Sequence, residues 1–147
     1  MTNSIFSSQL KFLKRVMELN TGDITQEDSL VSSPQSGNSV NWLIGHMIVV
    51  RDLMLDAMGL ECIASEEMVA IYSQGTKNVD KESAMQFTEL LKMYYQGTEE
   101  MLKRLEGEEL NEEEKVKSVA GLIFHECYHS GQIGLFRRII GKEPKIK

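Results

Sequence analysis

Apolar side chains recur at helical spacing along four long stretches of this chain, and no proline interrupts any of them. The sequence has two prolines, Pro34 and Pro144, and both lie outside these stretches. No segment shows the sustained alternation of apolar and polar residues that is typical of a half-buried strand. We therefore predict an all-α protein.

Capping and turn-forming residues bound the predicted helices. Residues 23–38 are polar and are predicted to form a loop with room for a short turn, and Ser65 can begin a short helix that ends at Tyr72. Four helices with connections of mixed length favour a four-helix bundle, and the length of the chain favours a single domain over residues 1–147. The four long helices are expected over residues 4–20, 38–58, 80–106 and 114–140.

The charge balance and the apolar pattern disfavour two classes of partner, nucleic acids and membranes. Its 16 basic and 22 acidic side chains give a net charge of −6, which repels nucleic-acid phosphates. No stretch approaches the roughly 18 uninterrupted apolar residues of a membrane-spanning helix. The first 20 residues also lack the pattern of a signal peptide. We therefore expect a cytoplasmic protein that binds neither nucleic acid nor membranes.

The three histidines of the chain, His46, His125 and His129, are the main chemical signal. His125 and His129 lie about 40° apart on one helix face, a spacing at which two imidazoles can bind one metal ion. His46 shares an inward face with Trp42, and Gly45 beside it permits the close approach of a neighbouring helix. Three imidazoles from two helices leave coordination positions open, which suits a catalytic metal better than a closed structural site. Zinc, nickel, copper and iron all accept such ligands.

The last helix also carries a short motif of metalloproteases. His125 to His129 reads H-E-x-x-H, in which the glutamate activates water, but the longer protease form fails because Gln132 and Leu135 replace its glycine and third histidine. Glu126 is thus left as a general base, as an orienting partner of a ligand or as a surface acid. By helical spacing it falls at the edge between two apolar faces of this helix, together with Ser130 and Arg137.

Both cysteines, Cys62 and Cys127, are expected to be free thiols, since the compartment is reducing. Cys127 is interpreted as a small core residue, because it falls on an apolar face of the last helix. That position is about 160° around the helix from the His125 direction, and Cys62 falls in a loop. Neither thiol is therefore placed to act at a histidine site.

Four sequence fragments together resemble a known superfamily. They are Trp42-Leu43-Ile44-Gly45-His46, the run from His125 to Ile133, Arg137-Arg138-Ile139-Ile140-Gly141, and Pro144. In this combination and order the chain resembles the DinB-like superfamily, also called YfiT-like, of metal-dependent enzymes. The resemblance implies an up-down-down-up four-helix bundle that is often dimeric, with a three-histidine site for zinc, nickel or a similar ion.

The resemblance also implies a reaction class. Members with known activity include transferases and isomerases that depend on bacillithiol, mycothiol or glutathione. We therefore expect metal-dependent transfer of a low-molecular-weight thiol to a small electrophile, with Glu126, Tyr128 and Gln132 as candidates for proton transfer or orientation. A metal-dependent hydrolase and a non-catalytic, stress-related metal-binding protein are the alternatives.

An apolar stripe on the second long helix bears on assembly. Ile44, Ile48 and Leu55 lie on the side away from His46. A helix within one bundle rarely needs a second apolar stripe unless something covers it. We predict a homodimer with two-fold symmetry. The alternative is that the first helix, or residues 60–80, covers the stripe within the chain.

Overall fold

The computed structural model describes residues 1–34, 37–76 and 78–146, and these residues form six helices without a named strand. The one bridge of β type joins Ser32 to Ser39. The all-α prediction is therefore confirmed. The helices are α1 (Thr2–Thr21), α2 (Gln26–Ser29), α3 (Val40–Ala57), α4 (Glu66–Tyr72), α5 (Phe87–Leu105) and α6 (Glu113–Ile139).

Side-chain caps fix the start of three helices close to where the sequence predicts them. Ser39 accepts a hydrogen bond from the Trp42 amide at the start of α3, and Ser65 does the same for α4. Thr25 and Asp28 form a capping box that starts α2, the short turn in the predicted loop. The predicted limits of α1, α3 and α6 agree with the structure to within two residues at each end.

The predicted start of the third long helix near Asp80 is wrong, because α5 begins at Phe87. The Asp80 carboxylate accepts hydrogen bonds from the backbone amides of Glu82 and Ser83, which holds this segment in a turn. The first amide of α5, that of Phe87, donates to Oε1 of Gln26 at 2.6 Å. A distant side chain therefore provides the cap that the local sequence lacks.

The long helices α1, α3, α5 and α6 form a closed ring of contacts, in which α1 and α3 each pack against both α5 and α6. Two clusters of buried side chains fill the interior of the ring. Ile44 and Ile48 belong to one cluster and Leu55 to the other, and all three are at most 1% exposed. The apolar stripe of α3 is thus covered within the chain, so it gives no support to the predicted homodimer, which stays a prediction.

The inward face of α6 differs from the expected one. Glu126, Ser130 and Arg137 were expected at the edge of the buried faces, yet each is at most 2% exposed. Cys127 was expected in the core, and it is exposed. The two charged side chains are buried because each has an opposite charge beside it, Arg51 for Glu126 and Asp23 for Arg137. Hydrophobic patterning alone cannot reveal such partners.

Crossing a bilayer requires a long and apolar helix, and none of the helices in the described part of the chain meets this requirement.

Candidate metal centre

The fold brings the three histidines together where the middle of α3 faces α6. The ring centroid of His46 lies 5.3 Å from that of His125 and 5.2 Å from that of His129. The ring centroids of His125 and His129 lie 4.4 Å apart. One ring nitrogen of each histidine can be chosen so that all three lie within 4.8 Å of one another. His46 and His129 are buried, and His125 is half-buried. The three side chains are therefore close enough to bind one metal ion.

Hydrogen bonds on the far side of two rings determine which nitrogens face the centre. His46 Nδ1 lies 2.9 Å from the Tyr72 carbonyl oxygen, and His129 Nδ1 lies 2.6 Å from Gln132 Oε1. Both oxygens only accept, so each Nδ1 carries the proton and each Nε2 keeps a lone pair. His125 Nδ1 is buried and has no hydrogen-bond partner among the described residues.

The geometry of the facing nitrogens fits a divalent cation. His125 Nε2 and His129 Nε2 lie 3.0 Å apart. Two zinc-bound nitrogens of a tetrahedral site are separated by about 3.3 Å, given zinc–nitrogen bonds of about 2.0–2.1 Å. Burial lowers the pKa of His46, His125 and His129, which favours the neutral form that binds metals. Three neutral imidazoles with ring nitrogens this close together are a donor set that zinc or nickel accepts.

A cleft of about 480 Å³ opens onto the three rings. Trp42 forms one wall: its ring stacks on His46 at 4.7 Å between centroids, and its Nε1 donates to Thr76 Oγ1 at 3.0 Å. Tyr128 also lines the cleft, and its ring lies 5.2 Å from that of His129 at an interplanar angle of 70°. Within residues 1–34, 37–76 and 78–146, no carboxylate or thiol joins the three histidines as a fourth ligand. The cleft therefore leads to a group of three histidines that no carboxylate or thiol of these residues completes.

Gly45 explains how α4 comes to support His46. A Cβ atom on Gly45 would overlap the ring of Tyr72, the last residue of α4. The Tyr72 hydroxyl donates to Asn41 Oδ1 at 3.0 Å and accepts from the Met85 amide. The ring of Tyr72 is thus fixed against α3, and the backbone carbonyl oxygen of Tyr72 lies beside His46. The predicted close approach at Gly45 is confirmed, and the approaching element is the short helix α4.

Two of the three predicted catalytic residues line this cleft, and the third does not. Gln132 accepts from His129, and its Nε2 lies 3.4 Å from the Tyr128 hydroxyl, so both side chains adjoin the three histidines. Glu126 points elsewhere. Its carboxylate accepts hydrogen bonds from Arg51 and from the Tyr94 hydroxyl. Both of its oxygens are therefore engaged outside the cleft.

Sequence reasoning missed Arg51, Thr76 and the backbone carbonyl of Tyr72. Arg51 carries one visible signal, because it interrupts the apolar run of α3 two turns before its end. Thr76 lies in the connection after α4, and no sequence pattern around it predicts its hydrogen bond with Trp42. The Tyr72 carbonyl is a backbone atom and has no signature in the sequence.

No family model, no curated protein and no solved structure matches this chain. The resemblance to the DinB-like superfamily therefore stays a prediction.

We expect the stability of the metal-free protein to depend steeply on pH. Burial, followed by the neighbouring histidines, lowers the pKa of His129 from its ordinary 6.5 to about 4, although the Gln132 hydrogen bond opposes this shift. The unfolded chain then binds more protons than the folded chain between these values, so stability is fully present above pH 6.5 and is lost as the pH falls towards 4. His129 alone should cost about 2 kcal/mol between pH 7 and pH 5.

Urea unfolding of chelator-treated protein at the two pH values measures this loss. The control is His129→Gln, which cannot take up the proton, so its free energy of unfolding should change less over the same interval. An equal change in both proteins would contradict the assignment to His129.

Proposed function

We propose that this chain is a metal-dependent enzyme in which His46, His125 and His129 hold one zinc or nickel ion. The observation that carries the proposal is the convergence of three neutral imidazoles on an open cleft, with no carboxylate or thiol of the described residues beside them. Three protein ligands and a free position are typical of catalytic zinc, whereas structural zinc has four protein ligands.

We propose that the scaffold is a four-helix bundle of up-down-down-up order, as the family resemblance implies. The contacts support α1 antiparallel to α5, α3 parallel to α5 and α1 parallel to α6. Three hydrogen bonds carry this support. Asn3 at the start of α1 donates to the Leu105 carbonyl at the end of α5, Arg104 near the end of α5 donates to the Met58 carbonyl just after α3, and Asn20 near the end of α1 donates to the Ser130 carbonyl in the second half of α6. In this arrangement α3 lies diagonally opposite α1, and His46 on α3 faces α6.

The reaction we propose is the transfer of a small thiol to an electrophilic carbon. A bound divalent ion would lower the pKa of a thiol in its open position. Glu126 is held by Arg51 and Tyr94, so this carboxylate is not available as a base in the cleft. A thiol, with an ordinary pKa of about 8.5, ionises with far less help than water. This difference favours S-transfer over hydrolysis.

The residues of the cleft would bind and orient the electrophile. The cofactor would supply a thiolate sulfur that would bond to the electrophilic carbon as the bond to the leaving group breaks, and the leaving group would depart with that electron pair. The thiol proton would pass to solvent. Tyr128 lines the cleft and is exposed, so its hydroxyl would be able to donate to the leaving group, while Gln132 holds His129 through Nδ1. Trp42 provides an apolar wall for the substrate.

The thiol must come from a cofactor, because neither cysteine of the chain reaches the histidines. Cys127 is exposed and lines an apolar groove between α1 and α6. Cys62 is exposed beside Asp52, and its Sγ lies 3.8 Å from the Asp52 carbonyl. Bacillithiol or glutathione would supply the sulfur. The substrate is then a small electrophile that fits the cleft.

The test compares metal-loaded wild-type protein with His46→Ala in mixtures of a chromogenic electrophile and bacillithiol, glutathione or cysteine. We expect conjugation with at least one thiol, and a rate at least about 100-fold lower for His46→Ala, since a metal ligand contributes more than the 10- to 100-fold of an outer partner. The matched control, Cys62→Ser with Cys127→Ser, should retain the wild-type rate. Equal rates for wild type and His46→Ala, or no acceleration with any thiol, would reject the transferase. Product release without a thiol would indicate hydrolysis.

A further inference from the structure

A buried ion pair joins the two helices that carry the histidines. Arg51 of α3 follows His46 by five residues, and Glu126 of α6 directly follows His125. The guanidinium donates from Nε to Glu126 Oε1 at 2.6 Å and from Nη2 to Oε2 at 2.5 Å. The two side chains are 0% and 2% exposed. The pair is therefore a fully buried, bidentate bridge across the interface between α3 and α6.

Helix α5 completes the cluster. Arg51 Nη1 donates to the Tyr94 carbonyl at 2.5 Å and to Thr98 Oγ1 at 2.8 Å, and the guanidinium carbon lies 3.8 Å from the centre of the Tyr94 ring. The Tyr94 hydroxyl donates to Glu126 Oε2 at 3.0 Å. These contacts are directional, so they are all satisfied in only one arrangement of the three helices.

Stability alone does not account for such a pair. Apolar residues of similar volume commonly stabilise a core as well as a buried ion pair does, because two charges must first be removed from water. Apolar contacts, however, are non-directional and tolerate small shifts of one helix along another. His46 and Arg51 are separated by about 7.5 Å along α3. Any shift that breaks the ion pair would therefore also move His46 away from the α6 histidines.

We propose that Arg51 and Glu126 are positioning residues of the metal centre: their bridge fixes the register in which α3 presents His46 to His125 and His129. This inference rests on the metal site proposed above. It assigns to the glutamate of the H-E-x-x-H motif a role in placing ligands, in which its carboxylate never enters the cleft.

The test measures the affinity for Co²⁺ and the visible absorption spectrum of the Co²⁺-loaded protein. The Arg51→Met, Glu126→Leu double variant removes both charges and keeps the interior apolar, so it should fold. We expect its Co²⁺ affinity to fall by about 10- to 100-fold, which is the range for outer partners of metal ligands. Its spectrum should also change, because His46 is no longer held in one position. A variant that is only less stable would keep its ligands in place, and its Co²⁺ spectrum would match that of the wild type.

The matched control is a second ion pair with a buried arginine, which in this case lies on α6. Arg137 forms a bidentate pair with Asp23 in the connection after α1, which does not include α3. The Arg137→Met, Asp23→Asn variant should retain the Co²⁺ affinity and spectrum of the wild type. Arg51→Lys is a second test should the double variant fail to fold. It keeps a charge but loses the bidentate, stacked geometry, so its affinity should also fall.

The outcomes separate this inference from the proposed function. Wild-type protein that binds no Co²⁺ overturns the metal site and the inference with it. Wild-type protein that binds Co²⁺, together with wild-type affinity and spectrum in the double variant or in Arg51→Lys, overturns the inference alone. A comparable loss of affinity in the Arg137 control would also overturn it, because the effect would then belong to any buried pair of α6.

Discussion

Replacement of both His125 and His129 by alanine is expected to abolish stoichiometric metal binding, whereas the wild-type chain should bind about one divalent ion. The two side chains provide two of the three nitrogens that converge on the centre, and they belong to the same helix. Loss of an outer hydrogen-bond partner of a ligand weakens metal affinity by roughly 10- to 100-fold, so loss of two ligands should exceed this range. Metal analysis after equilibrium dialysis against zinc or nickel gives the stoichiometry.

Gln132→Leu provides a graded control for this experiment. It removes the acceptor for His129 Nδ1 and leaves all three imidazoles in place. The variant should still bind about one ion, with an affinity lowered by roughly 10- to 100-fold. Full metal occupancy in the His125→Ala, His129→Ala variant would contradict the proposed centre, because the remaining His46 cannot hold an ion at this affinity alone.

The grouping of the two α6 histidines could be predicted because helical periodicity is a local property. A spacing of four residues places His125 and His129 on one face whatever the rest of the chain does. His46 required one further inference, that the apolar face of α3 points inward, and His46 is indeed buried. That His46 meets the other two histidines depends on the packing of α3 against α6, which periodicity does not encode.

The surroundings of the histidines depend on contacts between distant parts of the chain, and these could not be predicted. Glu126 is a charged residue on a helix, and its burial follows from Arg51, 75 positions away. The start of α5 depends on Gln26, which lies 61 positions before Phe87. The sequence predicts Cys127 on an apolar face of α6. It is exposed instead, because Glu126 and His129 occupy the inward positions beside it. Pairwise partners of this kind are set by tertiary packing, which periodicity does not encode.

The single substitution Arg51→Met is expected to lower the free energy of unfolding by about 3–5 kcal/mol, the cost of leaving one charge of a buried pair without its partner. Glu126 would remain 2% exposed, with only the Tyr94 hydroxyl as a donor. Adding Glu126→Leu removes this stranded carboxylate, so the double variant should recover most of the loss. Urea unfolding of wild type, Arg51→Met, Glu126→Leu and the double variant completes a double-mutant cycle.

Arg137→Met is the matched control for this cycle, because it breaks a second ion pair in which the arginine is buried. Its partner Asp23 is 44% exposed, so water can solvate the carboxylate that is left behind. Arg137→Met should therefore destabilise the protein clearly less than Arg51→Met does. Equal losses in the two arginine variants would show that the cost arises from lost side-chain packing. A double variant no more stable than Arg51→Met would likewise contradict the stranded carboxylate as the cause.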